Sequence, residues 1–388
     1  MKGTAMVEVV SFCQRLLRAE GTSGKEGPTA DALLQELRRL GFQEVRRDEW
    51  GNVAGRVGPD AGPRLLFAGH MDTVPADART WSVPPYGGQE KAGRIYGRGA
   101  SDMKGALAAM VYAAGSVRGE PLRGSVWVTG TVCEEIFEGA GLGKVVEAIR
   151  PDWVVIGESS DLAVNRGQRG RAEVFLETTG VSAHSAHPQA GRNALKTMVL
   201  LLAEVESIPL PRSDFLGPAI LEPTDIISEP YPGLSVLPSR CRVTFDRRLL
   251  VGESEQSVLF PIREAIERVR QIRPDLQART GLVEETVKTY TGRDFTHRKF
   301  APAWEIREDH PLVQAACRAL EACGQAVRIG HYDFCTDGSY SAGVAGIPTV
   351  GLGPSQETRA HGRDEYILVS ELSAALEVYR ALIRHLLT

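Results

Sequence analysis

Three short apolar runs, RLLFAGH (64–70), SVWVTGT (125–131) and DWVVIGE (152–158), stand between segments of helical apolar spacing, and this alternation restricts the fold more than any other feature. Apolar runs of strand length are consistent with strands buried on both faces, as in a largely parallel sheet covered by helices. Helical spacing marks residues 6–19 and 27–40 and segments starting at Lys104 and Leu142. The rhythm is α/β. Each run leads to residues of chemical interest: His70, then Glu134 and Glu135, then Glu158. Sites in open α/β sheets form beyond the carboxyl ends of strands.

After Gly170 the pattern changes to strand (RAEVFLETTG), helix (193–207), strands near 219–227 and 240–249, helix (254–270) and a strand near 278–290. That βαββαβ order predicts a self-contained ferredoxin-like module. A basic linker, TGRDFTHRKFAP, leads back to a helix from His310 and the short strand IPTVGLG. Residues 1–170 and 296–388 are therefore expected to form one catalytic domain, a mostly parallel sheet with helices on both faces. Residues 171–295 form a module inserted into it. A chain of 388 residues exceeds what one core usually organises, in keeping with two domains.

With 45 basic and 49 acidic residues and a net charge of −4, the chain has no electrostatic footprint for polyanions, so no nucleic-acid partner is expected. The six cysteines form no CxxC pair and no regular frame, which points to free thiols. The N-terminal segment has charges inside its apolar pattern, unlike a signal peptide, and no stretch approaches the roughly 20 apolar residues that span a bilayer. These features lead to an expectation of a cytoplasmic protein without membrane contact. The glycines of GRGASD and GAGLGK lack phosphate-loop spacing, and no GxSxG elbow is present.

Two-metal hydrolases need a bridging carboxylate, terminal His and carboxylate ligands, and a separate base. Candidates stand where strands are expected to end: His70 in GHMD, Asp102 in GRGASDMKG, Glu134 and Glu135 in CEE, Glu158 in IGES, and His361 in RAHGRDEY. Adjacent residues in an extended segment point to opposite sides, so Glu134 and Glu135 can divide metal binding and proton transfer between them.

Here the sequence resembles the metallopeptidase family of acetylornithine deacetylase, succinyl-diaminopimelate desuccinylase, aminoacylase and glutamate carboxypeptidase. The resemblance runs from end to end through HxDxVP (His70–Pro75), GRGxxDMKG (Gly97–Gly105), EE, GE, GxSAHSxxP (Gly180–Pro188) and a late AH. NRGQRGRAEV and GPSQETRAHGRDE look closest to the subgroup of selenium-metabolism-linked hydrolases. The resemblance implies two divalent ions, zinc with cobalt or manganese as alternatives. His70, Asp102 and Glu158 would hold one and Asp102, Glu135 and His361 the other, with Asp102 bridging. It implies Glu134 as general base and acid, Asp72 orienting His70, and a cis bond between Asp102 and Met103. It further implies that the inserted module is a lid through which a homodimer forms, that His184 completes the neighbouring subunit's site, and that Arg248 clamps a substrate carboxylate. Arg247 beside it is an alternative for that task.

The implied reaction is hydrolysis of an amide bond in an N-acyl amino acid or small peptide by a metal-activated water. Attack on a carbamoyl or ureido carbon is an alternative, and a metal-binding scaffold without turnover is another. Gln168 stands where the desuccinylases carry arginine, and Ser235 where they carry asparagine, so a succinyl group is disfavoured. His187, His297, His310, His331 and His385 read as surface or structural residues, and Cys335 as a buried thiol.

Overall fold

The computed structural model describes residues 2–388. Their contacts divide the chain into two units. The first runs to Gln168 and resumes at Thr286–His297 and Trp304–Thr388; the second comprises Arg169–Glu285 and Arg298–Ala303.

A nine-stranded mixed sheet organises the first unit. Arg64–His70 lies between Ser125–Thr131 and Trp153–Ile156, parallel to both, and Thr349–Gly351 continues the parallel run beside Trp153–Ile156. The flanks are antiparallel: Val53–Val57 pairs with Ser125–Thr131 on one side, and Val164–Gln168 with Trp304–Glu305 on the other. The centre thus follows the parallel expectation and the edges depart from it.

Alternation along the central strands divides two cores. Leu65 and Phe67 pack with Leu107, Val111 and Tyr379 on one face, whereas Leu66 and Ala68 pack with Leu142, Val146 and Ile149 on the other. Helix Gly105–Ser116 is buried at every residue from Gly105 to Ala114, so a polar stripe would have no water to meet. Against it lies Val369–Leu387, a helix that the sequence reading did not mark, although Leu372, Leu376, Tyr379 and Ile383 face the core at helical spacing.

The second unit has strands Gly170–Thr179, Ile220–Glu229, Arg240–Leu249 and Gln277–Leu282 with helices Ala194–Glu206 and Glu255–Ile272. Its antiparallel sheet has the spatial order second, third, first, fourth, the ferredoxin-like arrangement. Val174, Leu176, Val243 and Phe245 pack against Met198, Leu201, Ile262 and Ile266.

The expected basic linker is structured instead. Asp294–Arg298 pairs with Glu284–Lys288 in a two-stranded sheet, so the strand expected near 278–290 is two strands, Gln277–Leu282 and Glu284–Lys288. The segment 286–297 also belongs to the first unit, because Phe295 stacks near Trp50 and Phe137, at 5.1 and 5.8 Å between ring centroids, and Tyr290 donates its hydroxyl to Gly51 O at 2.6 Å. Aromatic burial, which a charge-based reading passes over, places it there.

Candidate metal centre

His70 ends its strand nearly fully buried, at 1% exposure, and Nδ1 stands 2.9 Å from Asp72 O. That bond turns Nε2 toward Asp102 Oδ1 at 2.9 Å, with Glu158 Oε1 at 3.3 Å and Glu134 Oε2 at 4.0 Å. The second oxygen of Asp102 lies 3.0 Å from His361 Nε2, which is also 3.0 Å from Glu135 Oε2. One carboxylate therefore faces two imidazoles, one on each oxygen. His361 is half-exposed while the other groups are largely buried, so the cluster opens to solvent on that side.

The loop carrying Asp102 starts at Gly99, whose φ of +87° and 2.8 Å clearance between an added Cβ and Thr73 Cγ2 both favour glycine. The Asp102–Met103 peptide is cis. Glu134 and Glu135 are not in an extended segment, as their expected division of labour assumed. Their strand stops at Thr131, and Cys133 has φ +58°, so the two glutamates occupy a turn. Asp72 holds that turn: its oxygens accept from Glu134 N and Glu135 N, each at 3.1 Å, and from Ser23 Oγ at 2.7 Å. Glu26, absent from the sequence reading, accepts from Cys133 N at 3.0 Å. Two buried carboxylates thus tie down three successive amides. Glu26 sits before a helix-starting Pro28, where an acid reads as an ordinary helix-end residue.

Burial raises the proton affinity of Glu134, Glu135 and Glu158. For Glu158, with repulsion from Asp102 added, the pKa reaches about 8. Burial acts in the same direction on Asp102, but hydrogen bonds to His361 and His70 prevail and hold it down. His361 is pushed up to about 10 by Asp102 and then Glu135. Burial opposes charge on His70, yet Asp102, Asp72 and Glu158 raise it well above the usual imidazole range.

Such crowding of acids in a low-dielectric site is costly without cations. Two divalent ions would offset the charge of four carboxylates, and the hard oxygen and imidazole donors suit zinc, cobalt or manganese. Ligand atoms of His70, Glu134 and Glu158 lie within 4.8 Å of one another, as do those of His70, Asp102 and Glu135. The donor set fits the implied metals. Ligand geometry alone also groups Glu134 with a metal site, beside its expected role as base.

In the second unit, His184 is exposed, and its Nδ1 accepts from Ala186 N at 3.0 Å. That bond assigns the proton to Nε2, which is left as a donor. Arg248 is paired with Asp246 at 2.7 Å on one face of the sheet. Arg247 points to the other face, buried, ion-paired with Glu253 and lining a cavity of about 540 Å³ within this unit. Cys335 is buried, with Gln168 Nε2 at 3.3 Å, and His310 caps helix Pro311–Ala322 by accepting from Leu312 N at 3.1 Å. Among the described residues no helix is long and apolar enough to cross a membrane.

The uncharacterized protein YgeY of Escherichia coli (strain K12) is 33% identical over 384 residues, covering 97% of this chain and 93% of that protein. A succinyl-diaminopimelate desuccinylase of Marinobacter nauticus is 29% identical over 395 residues, covering 97% and 98%. The crystal structure of aminopeptidase PepT from Bacillus cereus superposes with a TM-score of 0.75 at 20% identity over 98% of both chains. Peptidase family M20/M25/M40 matches residues 66–385. The acid and imidazole cluster stands inside that span, and the chain belongs to this family of metal-dependent hydrolases.

Proposed function

We propose that the chain hydrolyses the amide bond of an N-acyl amino acid or small peptide bearing a free carboxylate. The observation that carries this is Asp102, with one oxygen toward His70 and the other toward His361. His70, Asp102 and Glu158 would hold one divalent ion and Asp102, Glu135 and His361 a second, zinc being the first choice. When bound, the ions polarise the scissile carbonyl and acidify water.

Glu134 takes the proton of the attacking water and returns it to the nitrogen as the C–N bond breaks, leaving a carboxylic acid and an amine. Its burial raises its affinity for a proton, which suits a group that accepts and returns one. Asp72 keeps the His70 ring in orientation and steadies the turn that carries Glu134. Arg248 binds the substrate carboxylate, a task suited to a guanidinium fork.

The second unit serves as lid and dimerisation module, with His184 stabilising the oxyanion at the partner's site. Its edge strand Ile220–Glu229 leaves Ile226 and Ile227 each 52% exposed, and helix Ala194–Glu206 exposes Leu195, Val199 and Leu200. An open apolar edge of this kind is suited to pairing with a second copy. The six cysteines are free thiols, in keeping with a reducing cytoplasm.

The test is a screen of protein loaded with zinc, cobalt or manganese against N-acetyl, N-succinyl and N-carbamoyl amino acids and dipeptides. Turnover of N-acetyl amino acids or dipeptides is expected. Exclusive turnover of N-carbamoyl substrates would move the reading to ureido hydrolysis. Protein that holds two metals yet turns over none would overturn it in favour of a scaffold.

A further inference from the structure

Arg98 and Glu365 form an ion pair at 2.7 Å with side chains only 4% and 0% exposed. Both lie in motifs that carry proposed ligands, yet the chemistry above uses neither. Glu365 accepts from one guanidinium and three main-chain amides. Oε2 accepts from Arg98 Nη1 and from Gly99 N at 3.1 Å, while Oε1 accepts from Ser101 N at 2.7 Å and Asp102 N at 3.0 Å. The guanidinium extends the link, because Nη2 donates to His361 O at 3.1 Å. Asp102 and His361, far apart in sequence, are thus fastened through their backbones to one buried pair.

Strand pairing produces this closeness. Tyr366–Leu368 runs antiparallel to Arg94–Tyr96, with Tyr366 opposite Tyr96, which brings residue 365 beside residues 97 and 98. Gly97 N donates to Glu365 O at 2.9 Å as the last rung. Beyond that rung the chain departs from regular structure, and the side-chain pair takes over. His361 and Asp364 both have positive φ, +59° and +53°, so the loop needs fixed partners to hold one course.

Resting on the proposed two-metal reading, we infer that Arg98 and Glu365 are positioning residues for the second metal site, holding Asp102 and His361 at the spacing one ion requires. The first site depends on them less, since His70 and Glu158 are fixed by other elements. His70 is set by its strand and the Asp72 carbonyl, and Glu158 follows the end of Trp153–Ile156. The effect is therefore unequal between the two sites. Glu365→Gln keeps the shape but turns an NH₂ group toward backbone donors, breaking the cradle at one oxygen.

Metal-free protein titrated with zinc in a calorimeter, with metal content measured after dialysis, tests this without reference to activity. Wild type is expected to bind two ions. Glu365→Gln should bind one with near wild-type affinity and the other roughly 10- to 100-fold more weakly, the usual effect of removing a partner that orients a ligand. Arg98→Lys, which keeps the charge but lacks the fork that reaches His361 O, should weaken the same site.

Charge alone is separated by a double variant. Glu365→Gln leaves Arg98 uncompensated near the metals, whereas Arg98→Met combined with Glu365→Gln restores neutrality. Recovery of wild-type affinity in the double variant would overturn the inference, as would equal weakening of both sites or none in the single variants. Persistent loss at one site in the double variant supports it. Should any variant fail to fold, as judged by circular dichroism of the metal-free protein, Glu365→Asp replaces it and must show the same selective loss. A wild type that binds fewer than two ions would instead defeat the two-metal reading.

Discussion

Asp102 gives one oxygen to each imidazole because both of its flanks are constrained, its amide by Glu365 and its side chain by His70 and His361. Glu134 and Glu135 differ in a similar way through their surroundings. Glu135 reaches His361 at 3.0 Å, whereas Glu134 remains 4.0 Å from His70. If the first binds metal and the second moves protons, Glu134→Gln should keep both ions and lose turnover by roughly 10²–10⁴-fold, the scale of general acid–base catalysis. Glu135→Gln should lose one ion. Elemental analysis beside kinetics checks the pair, and loss of metal from Glu134→Gln with retention in Glu135→Gln would reverse the assignment. The motifs singled out both glutamates as candidates but not their turn, since strand length depends on pairing with neighbours that sequence spacing does not reveal.

Helices of the first unit are joined by a polar group set into apolar packing. Glu36, on Gly27–Arg39, accepts from Arg15 of Lys2–Arg18 at 2.5 Å, from Arg39 at 2.8 Å, and from the Tyr112 hydroxyl of Gly105–Ser116 at 2.5 Å. Burial works to raise the Glu36 pKa, but hydrogen bonds from Arg39 and Tyr112 and the charge of Arg15 prevail and lower it. A lowered carboxylate pKa stabilises the fold above the unfolded value, and this is lost as pH falls through the folded value. Glu36→Gln should therefore cost roughly 1.5–3 kcal/mol near neutral pH, the range for hydrogen bonds to a charged group. The cost should shrink in the acid range as the wild-type carboxylate protonates. Thermal melts of both proteins from neutral pH to below pH 4 check this, and a constant difference in Tm across that range would contradict it. Periodicity located these helices to within a few residues, but their cross-links join side chains up to 76 positions apart and leave no periodic trace.

For the whole molecule, the proposed dimer makes a prediction that a self-contained site does not. His184→Ala and Glu134→Gln chains, each inactive alone, should regain activity when mixed if His184 acts on the partner's site. A mixed dimer then has one site with both lesions and one with neither. Random exchange of equal amounts restores about a quarter of the sites under twofold symmetry. Native mass spectrometry confirms exchange; exchange without recovered activity would confine His184 to its own chain or to its loop. The α/β rhythm and the βαββαβ order after Gly170 were legible along the chain, because strand burial and helical period are local properties, and the candidate acids and imidazoles were singled out through motifs shared with a known family. Tertiary structure alone decided the antiparallel sheet flanks, the return of residues 286–297 to the first unit, and the ties from Asp72, Glu26 and Glu365 to the site. Each of these depends on partners distant in sequence, and a buried carboxylate acquires its role from the donors that folding brings to it.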